Sequence, residues 1–325
     1  MRKLFLSIVC LFLSQTIFAQ EWHSINTKSE ESYSTKLIKS TNESVVIDLS
    51  LNGFYTNHTS LPNSVIITNE DMAPLSEAGQ PNIPSLSIPI IINDMGKMDV
   101  RVSKVEYLEY NDIEIAPSKG EFPRSINPDD VPYTYGDVYQ QNEFFPATNV
   151  KLDSPYILRD FRAQNIIVTP FAYNPVTKTL RVMHKMTIEV VSTKEEGENE
   201  LARRSNTINM DSEFEKMYSN RFINYKESGA KYDIIEEEGD LLIICHDAFM
   251  SAMQPFVEWK RATGRKTTMV GTSVAGTSAD NIKNYISSQY EDNPNLVHVL
   301  LVGDYQQLPG KYLTMGSGYY DNYSG

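Results

Sequence analysis

Cysteine is almost missing from this 325-residue chain, which has only Cys10 and Cys245. Cys10 lies within an apolar N-terminal run, behind Val9 rather than a small residue, so it does not make a lipidation site. Without the leader, one thiol remains. No internal disulfide is then available, and core packing alone must hold the protein together. There is no CxxC pair and no two histidines at HxxxH spacing, so zinc chemistry is unsupported. Neither GxGxxG nor GxxxxGK(S/T) follows a strand, so nucleotide binding lacks its phosphate cradle. Positive charge is also short. With 29 Lys and Arg against 42 Asp and Glu, the net charge of -13 argues against nucleic acid or an anionic membrane surface as partner. After the leader, no apolar run is long enough to span a membrane.

What is present begins with MRKLFLSIVCLFLSQTIFAQ, in which Arg2 and Lys3 precede an apolar run from Leu4 to Leu13. This is the layout of a signal peptide covering residues 1–19, cleaved between Ala19 and Gln20; an uncleaved anchor is the alternative. The expected destination is therefore secretion or the cell surface. A hydrophobic content of 41% describes a globular chain, and the length suits about two domains of ~150 residues.

Residues 20–195 read as strands and turns. SVVIDLSL, LSIPIII, NIIVTPFAY and TLRVMHKMTIEVV are rich in Val and Ile, several alternate with a period of two, and no ten-residue helical pattern appears. The expectation is an all-β domain, a sandwich or jelly roll. Residues 196–238 are charged and polar and read as a linker with a short helix over Ser212 to Phe222.

From residue 239 to 325 the pattern changes. Leu241 to Cys245 is an apolar run of strand length, with Asp247 a candidate helix cap behind it. Phe249, Met253, Phe256 and Val257 recur at helical spacing, and Pro255 either kinks that helix or restarts it. Strands are expected at 266–270 and 296–304, separated by a helix opened by a capping box from Thr277 to Asp280. Strand, helix, strand, helix, strand predicts the first half of a parallel α/β sheet, with any site beyond the carboxyl ends of the strands.

The reactive candidates stand at those ends. Cys245 and His246 are adjacent, but neighbouring strand residues project to opposite faces, so they read as a buried thiol and a loop histidine rather than a dyad. His298 reads as a hydrogen-bonded core histidine, His184 as outward-facing, and His23 and His58 as solvent-facing. The Asp304 side chain either bonds amides of the next turn or binds metal.

DLLIICHDAFMSAMQPFVEWKRATGRKTTMV, with the later LVHVLLVGDYQQLPG, closely resembles the start of the catalytic domain of gingipain-type cysteine peptidases, peptidase family C25. GQPNIPSLSIPIII and NIIVTPFAYNPVTKTLRVMHKMTIEVV resemble the family's propeptide. The resemblance implies an all-β prodomain that aids folding and keeps the enzyme latent by binding its own catalytic domain, which is caspase-like α/β and acts on protein or peptide substrates. It places the catalytic His and Cys past Gly325, on neither Cys245 nor His246. It implies activation between Lys231 and Tyr232, with Arg203 and Arg204 as a second place; an ordinary charged linker is the alternative at both. It implies a basic residue presented to the active site, for which Arg124 is the candidate. No cofactor is needed for the chemistry; bound calcium is implied, with Asp304 a contributor. A sortase-like relative in a bacterial secretion system and a non-catalytic surface or adhesion protein are the alternatives.

Overall fold

The computed structural model describes residues 20–26, 31–75, 77–203 and 206–311. Ala19 and Arg204 fall outside them. Two compact units result, Met1–Ala202 with Phe222–Ser228, and Arg203–Arg221 with Gly229–Gly325.

The first unit is built of strands. One four-stranded sheet runs in the order Gln20–Ser24, Gly53–His58, Ser64–Thr68 and Glu114–Ile115. A five-stranded sheet centres on Pro84–Ile91 and Phe161–Val168, and another on Ser44–Leu51 and Thr179–Ser192. Pairing is antiparallel throughout except between Ser64–Thr68 and Glu114–Ile115. The period of two works as expected: in SVVIDLSL the side chains of Val45, Ile47, Leu49 and Leu51 go inward, opposite Met186, Ile188 and Val190. Phe54 and Phe171 close this core edge to face, their ring centres 5.5 Å apart. His184 is half-buried where the pairing of Thr179–Ser192 with Met98–Tyr110 shifts register. His23 is half-buried too. Instead of facing solvent it stacks on Phe54 at 4.8 Å and bonds Thr56 Oγ1 at 2.9 Å, while His58 is exposed.

The 196–238 stretch is more structured than a linker. Glu200 accepts from the amides of Gly96 and Gly197, and the Glu198 carbonyl accepts from Arg162, so the charged run is fastened by its backbone and its carboxylate. Beyond it, Thr207–Met210 pairs in parallel with Asp233–Glu236. The expected helix is present as Ser212–Arg221, and Phe222 turns back into the first unit. There Asn224, fully buried, both donates to the Ile91 carbonyl and accepts from its amide, each at 2.8 Å. Ile208, Met210, Tyr218 and Phe222 bury what polar composition concealed.

In the second unit β1 (Asp240–Cys245) is buried at all six positions, as the apolar run requires. It is followed by α1 (Met250–Ala262), β2 (Thr267–Gly271), α2 (Ala279–Asp292) and β3 (Leu296–Val302). The sheet is parallel with β1 in the centre, in the order β2-β1-β3. α1 passes through Pro255 as one element, without restarting. α2 is capped by Ser278, whose hydroxyl accepts from the Asn281 amide, and not by Thr277. Serine there satisfies the same orphan amide one residue later. Among the described residues, no helix is long and apolar enough to cross a membrane.

Candidate functional site

The carboxyl ends of β1 and β2 meet through Asp247. Its carboxylate accepts from the Thr272 hydroxyl at 3.1 Å and from the amide and hydroxyl of Ser273 at 3.0 and 2.8 Å. The Ser273 and Thr272 donors outweigh desolvation and hold this carboxyl below its ordinary range. Gly271 is required beside it, because a Cβ there would overlap Asp247 Oδ1. Asp247 is thus not the cap of the turn that follows β1. His246 is, with Nδ1 accepting from the Ala248 amide at 3.4 Å. Two capping candidates compete side by side, and the carboxylate is drawn instead to the hydroxyls across the strand ends.

Cys245 is fully buried among Ile243, Val257 and flanking Met250 and Val302. Burial, with the Asp247 charge second, pushes its thiol up, the opposite of what a nucleophile needs. Its Sγ donates to the His246 carbonyl at 3.4 Å, and the imidazole turns toward Phe249, ring centres 5.5 Å apart. The adjacent pair therefore makes no thiolate–imidazolium couple. In the native chain starting at Gln20, Ellman's reagent is expected to find essentially no thiol, and one after unfolding in urea. Rapid native labelling lost on Cys245→Ala would contradict this burial.

Asp304, after β3, is exposed, and its carboxylate has no partner among the described residues. The following turn is fastened by its main chain, with the Asp304 carbonyl accepting from the amides of Gln307 and Leu308 at 2.8 Å each. Calcium takes roughly six to eight oxygens. Asp304 by itself offers one carboxylate toward such a set.

Arg124 occupies the first corner of a turn from Pro123 to Ile126, closed by the Ile126 amide on the Pro123 carbonyl at 2.9 Å. Its side chain is exposed and has no partner among the described residues. The loop is braced next to it, where Asn127 caps Pro128–Asp130 and Lys119 donates to the Pro128 carbonyl at 2.7 Å. Lys231 and Tyr232 lie on a turn before Asp233–Glu236. The Tyr232 amide bonds the Gly229 carbonyl at 3.1 Å, and the Arg203 guanidinium lies 4.3 Å over its ring.

A cluster that sequence reading missed lies at the other end of the sheet. Asp211, fully buried, accepts from the amides of Gly239 and Glu213 and from Arg265 Nη1. Burial raises its carboxyl, but these donors and Arg265 outweigh it, and the net displacement is downward. His298 is half-buried rather than a core residue, with Nε2 3.1 Å from Glu213 Oε2 and 3.9 Å from Asp211 Oδ2. Asp211, Glu213 and His298 are close enough to share an ion. However, the Asp211 oxygen facing His298 already takes the Arg265 and Gly239 donors, so the set suits an ion pair better than a dication.

An all-β domain placed ahead of the opening strands of a parallel α/β sheet defines a two-part chain, propeptide-like and then peptidase-like. The family model Propeptide_C25 matches residues 28–231 and the model of Peptidase family C25 matches 234–323, and the chain belongs to this family. It is similar to gingipain R1 of Porphyromonas gingivalis, at 34% identity over 284 residues, covering 85% of this chain and 28% of the relative. Gingipain R2 of the same organism is 36% identical over 242 residues, 73% of this chain and 32% of the relative. The chain thus spans about a third or less of these relatives' length. A solved complex of Porphyromonas gingivalis RgpB pro- and mature domains matches with a TM-score of 0.54 and 33% identity, over 59% of this chain and 97% of the matched one.

Proposed function

We propose that this chain is the N-terminal part of an exported, gingipain-type cysteine endopeptidase zymogen. Residues 20–195 form a prodomain that assists folding and holds its own catalytic domain latent. Residues from 239 onward open a caspase-like domain whose catalytic Cys and His follow later strands, past Gly325. The observation that carries this is the junction: the propeptide match ends at Lys231, on a turn, and the peptidase match starts at Ile234, in the strand that follows it. The inert setting of Cys245 and His246 supports a nucleophile elsewhere. The charged leader ending at Ala19 supports export.

Latency is assigned to the Arg124 turn, which offers an exposed guanidinium from a braced loop. A substrate side chain would enter a specificity pocket in the same way, and an acidic pocket would favour Arg or Lys. Latency ends at the Lys231–Tyr232 bond. Sequencing the mature chain after activation of the full-length protein is expected to read Tyr-Asp-Ile-Ile from Tyr232, and Lys231→Ala to suppress that species. A mature N-terminus elsewhere, unchanged in the variant, would remove Lys231 from the account.

A further inference from the structure

The propeptide match and the packing do not divide the chain at the same place. Residues Arg203–Arg221 lie within the propeptide match, upstream of Lys231, but they pack as part of the second unit. The strand Thr207–Met210 lies along Asp233–Glu236, on the far side of the Lys231–Tyr232 bond. Just after that strand, the Asp211 carboxylate enters a setting built for it. The Gly239 amide donates to Oδ2 at 2.9 Å and Arg265 Nη1 at 3.3 Å. The guanidinium is held by two further acceptors, the Gly239 carbonyl at 3.1 Å and Glu238 Oε2 at 2.9 Å, and its side chain is only 13% exposed. No larger residue fits at Gly239, since a Cβ would run into Val297. Ser212 Oγ donates to Glu238 at 2.6 Å, and Glu213 faces His298 at 3.1 Å. All of these groups stand at the amino ends of β1, β2 and β3.

We infer that the peptidase unit carries a carboxylate socket, formed by the Gly239 amide and the Arg265 guanidinium with His298 at its rim, that holds the propeptide tail through Asp211 after the Lys231–Tyr232 bond is cut. The inference rests on the zymogen reading for its place in activation. The ligand class is an acidic segment that leads into a helix. Asp211 serves both partners at once, because it also accepts from the Glu213 amide and so caps Ser212–Arg221, the helix it presents. Removing the carboxylate takes from the guanidinium its one fully buried counter-charge, leaving the more exposed Glu238 and Glu213, and takes from the tail helix its cap.

The test uses the whole chain from Gln20, carrying a site-specific protease sequence across Gly229 to Tyr232. After the cut, the dissociation constant between the two fragments is measured. Asp211→Asn and Arg265→Gln are each expected to weaken association by about 100-fold, the scale for breaking a buried charge pair. The double variant is expected to be no weaker than the worse single, because the two groups act together. Single variants within two-fold of the parent, or a double equal to the product of the singles, would overturn the socket. Hydrogen exchange on the uncut chain guards against a general folding defect. Asp211→Asn should lose protection in Thr207–Met210 and Ser212–Arg221 while β1 keeps it, and equal loss from β1 would also overturn the inference. Because the cut is engineered, these values do not depend on whether natural processing occurs at Lys231.

Discussion

Arg162→Met is expected to lower the stability of the β-domain by about 3 kcal/mol or more, with each charge-assisted hydrogen bond contributing roughly 1.5–3 kcal/mol. The side chain is 1% exposed. Its Nη1 donates to the carbonyls of Asn93 and Gly96 at 2.9 and 2.7 Å, and its Nη2 to that of Glu198 at 2.6 Å. Desolvation lowers its pKa against the opposing charges of Glu200 and Asp94, as for a cation held by main-chain oxygens. Methionine fills much of the volume but leaves three carbonyls unserved. At roughly 2–4 °C per kcal/mol for a domain of this size, the melting midpoint should fall by about 6–12 °C. Arg162→Lys keeps the charge without the fork and should recover only part of the loss. A midpoint within 1–2 °C of the parent, on the order of ordinary surface substitutions, would mean that these carbonyls find other donors.

The second large effect is on inhibition. Arg124→Ala in the prodomain should weaken inhibition of the mature enzyme by about 30-fold to 1,000-fold, the range for losing one interface anchor of 2–4 kcal/mol. The melting midpoint should not move, because the side chain is exposed and has no bond among the described residues. Arg124→Lys should retain part of the inhibition, since it returns the charge but not the planar fork. Unchanged inhibition in Arg124→Ala would shift latency to another surface of the β-domain.

These two arginines differ in how far the sequence revealed them. Arg124 was legible because Pro123 before it and Asn127-Pro128 after it mark turns, and a long cation on a turn is exposed. Arg162 was not legible. Its neighbours Phe161 and Ala163 read as a strand, but the carbonyls it serves come from Asn93, Gly96 and Glu198, up to 69 positions away. The three strands β1, β2 and β3 were readable within one or two residues, since continuous apolar runs such as Leu241 to Cys245 have one stable destination, whereas Thr207–Met210 and Asp233–Glu236 were not. The caps were misplaced because His246 and Asp247, or Thr277 and Ser278, offer equivalent acceptors at adjacent positions, and local pattern does not rank them.

The Asp211 socket was hidden for the same reason as the Arg162 contacts. Asp211 meets Gly239 and Arg265 across 28 and 54 positions, from within a stretch whose composition reads as solvated. Ile208, Met210 and Tyr218 were the available signal, spaced too irregularly among charges to declare an element. The resemblance to family C25 supplied what composition and spacing could not: a boundary between propeptide and peptidase within the charged stretch, where the propeptide match ends at residue 231 and the peptidase match begins at 234.

The most direct test of the account adds the purified prodomain, Gln20 to Lys231, to the activated full-length peptidase and follows hydrolysis of Arg and Lys peptide substrates. Stoichiometric inhibition that is relieved by Arg124→Ala is the expected result. Full activity in the presence of a large excess of folded prodomain would contradict the assignment of this chain as a zymogen.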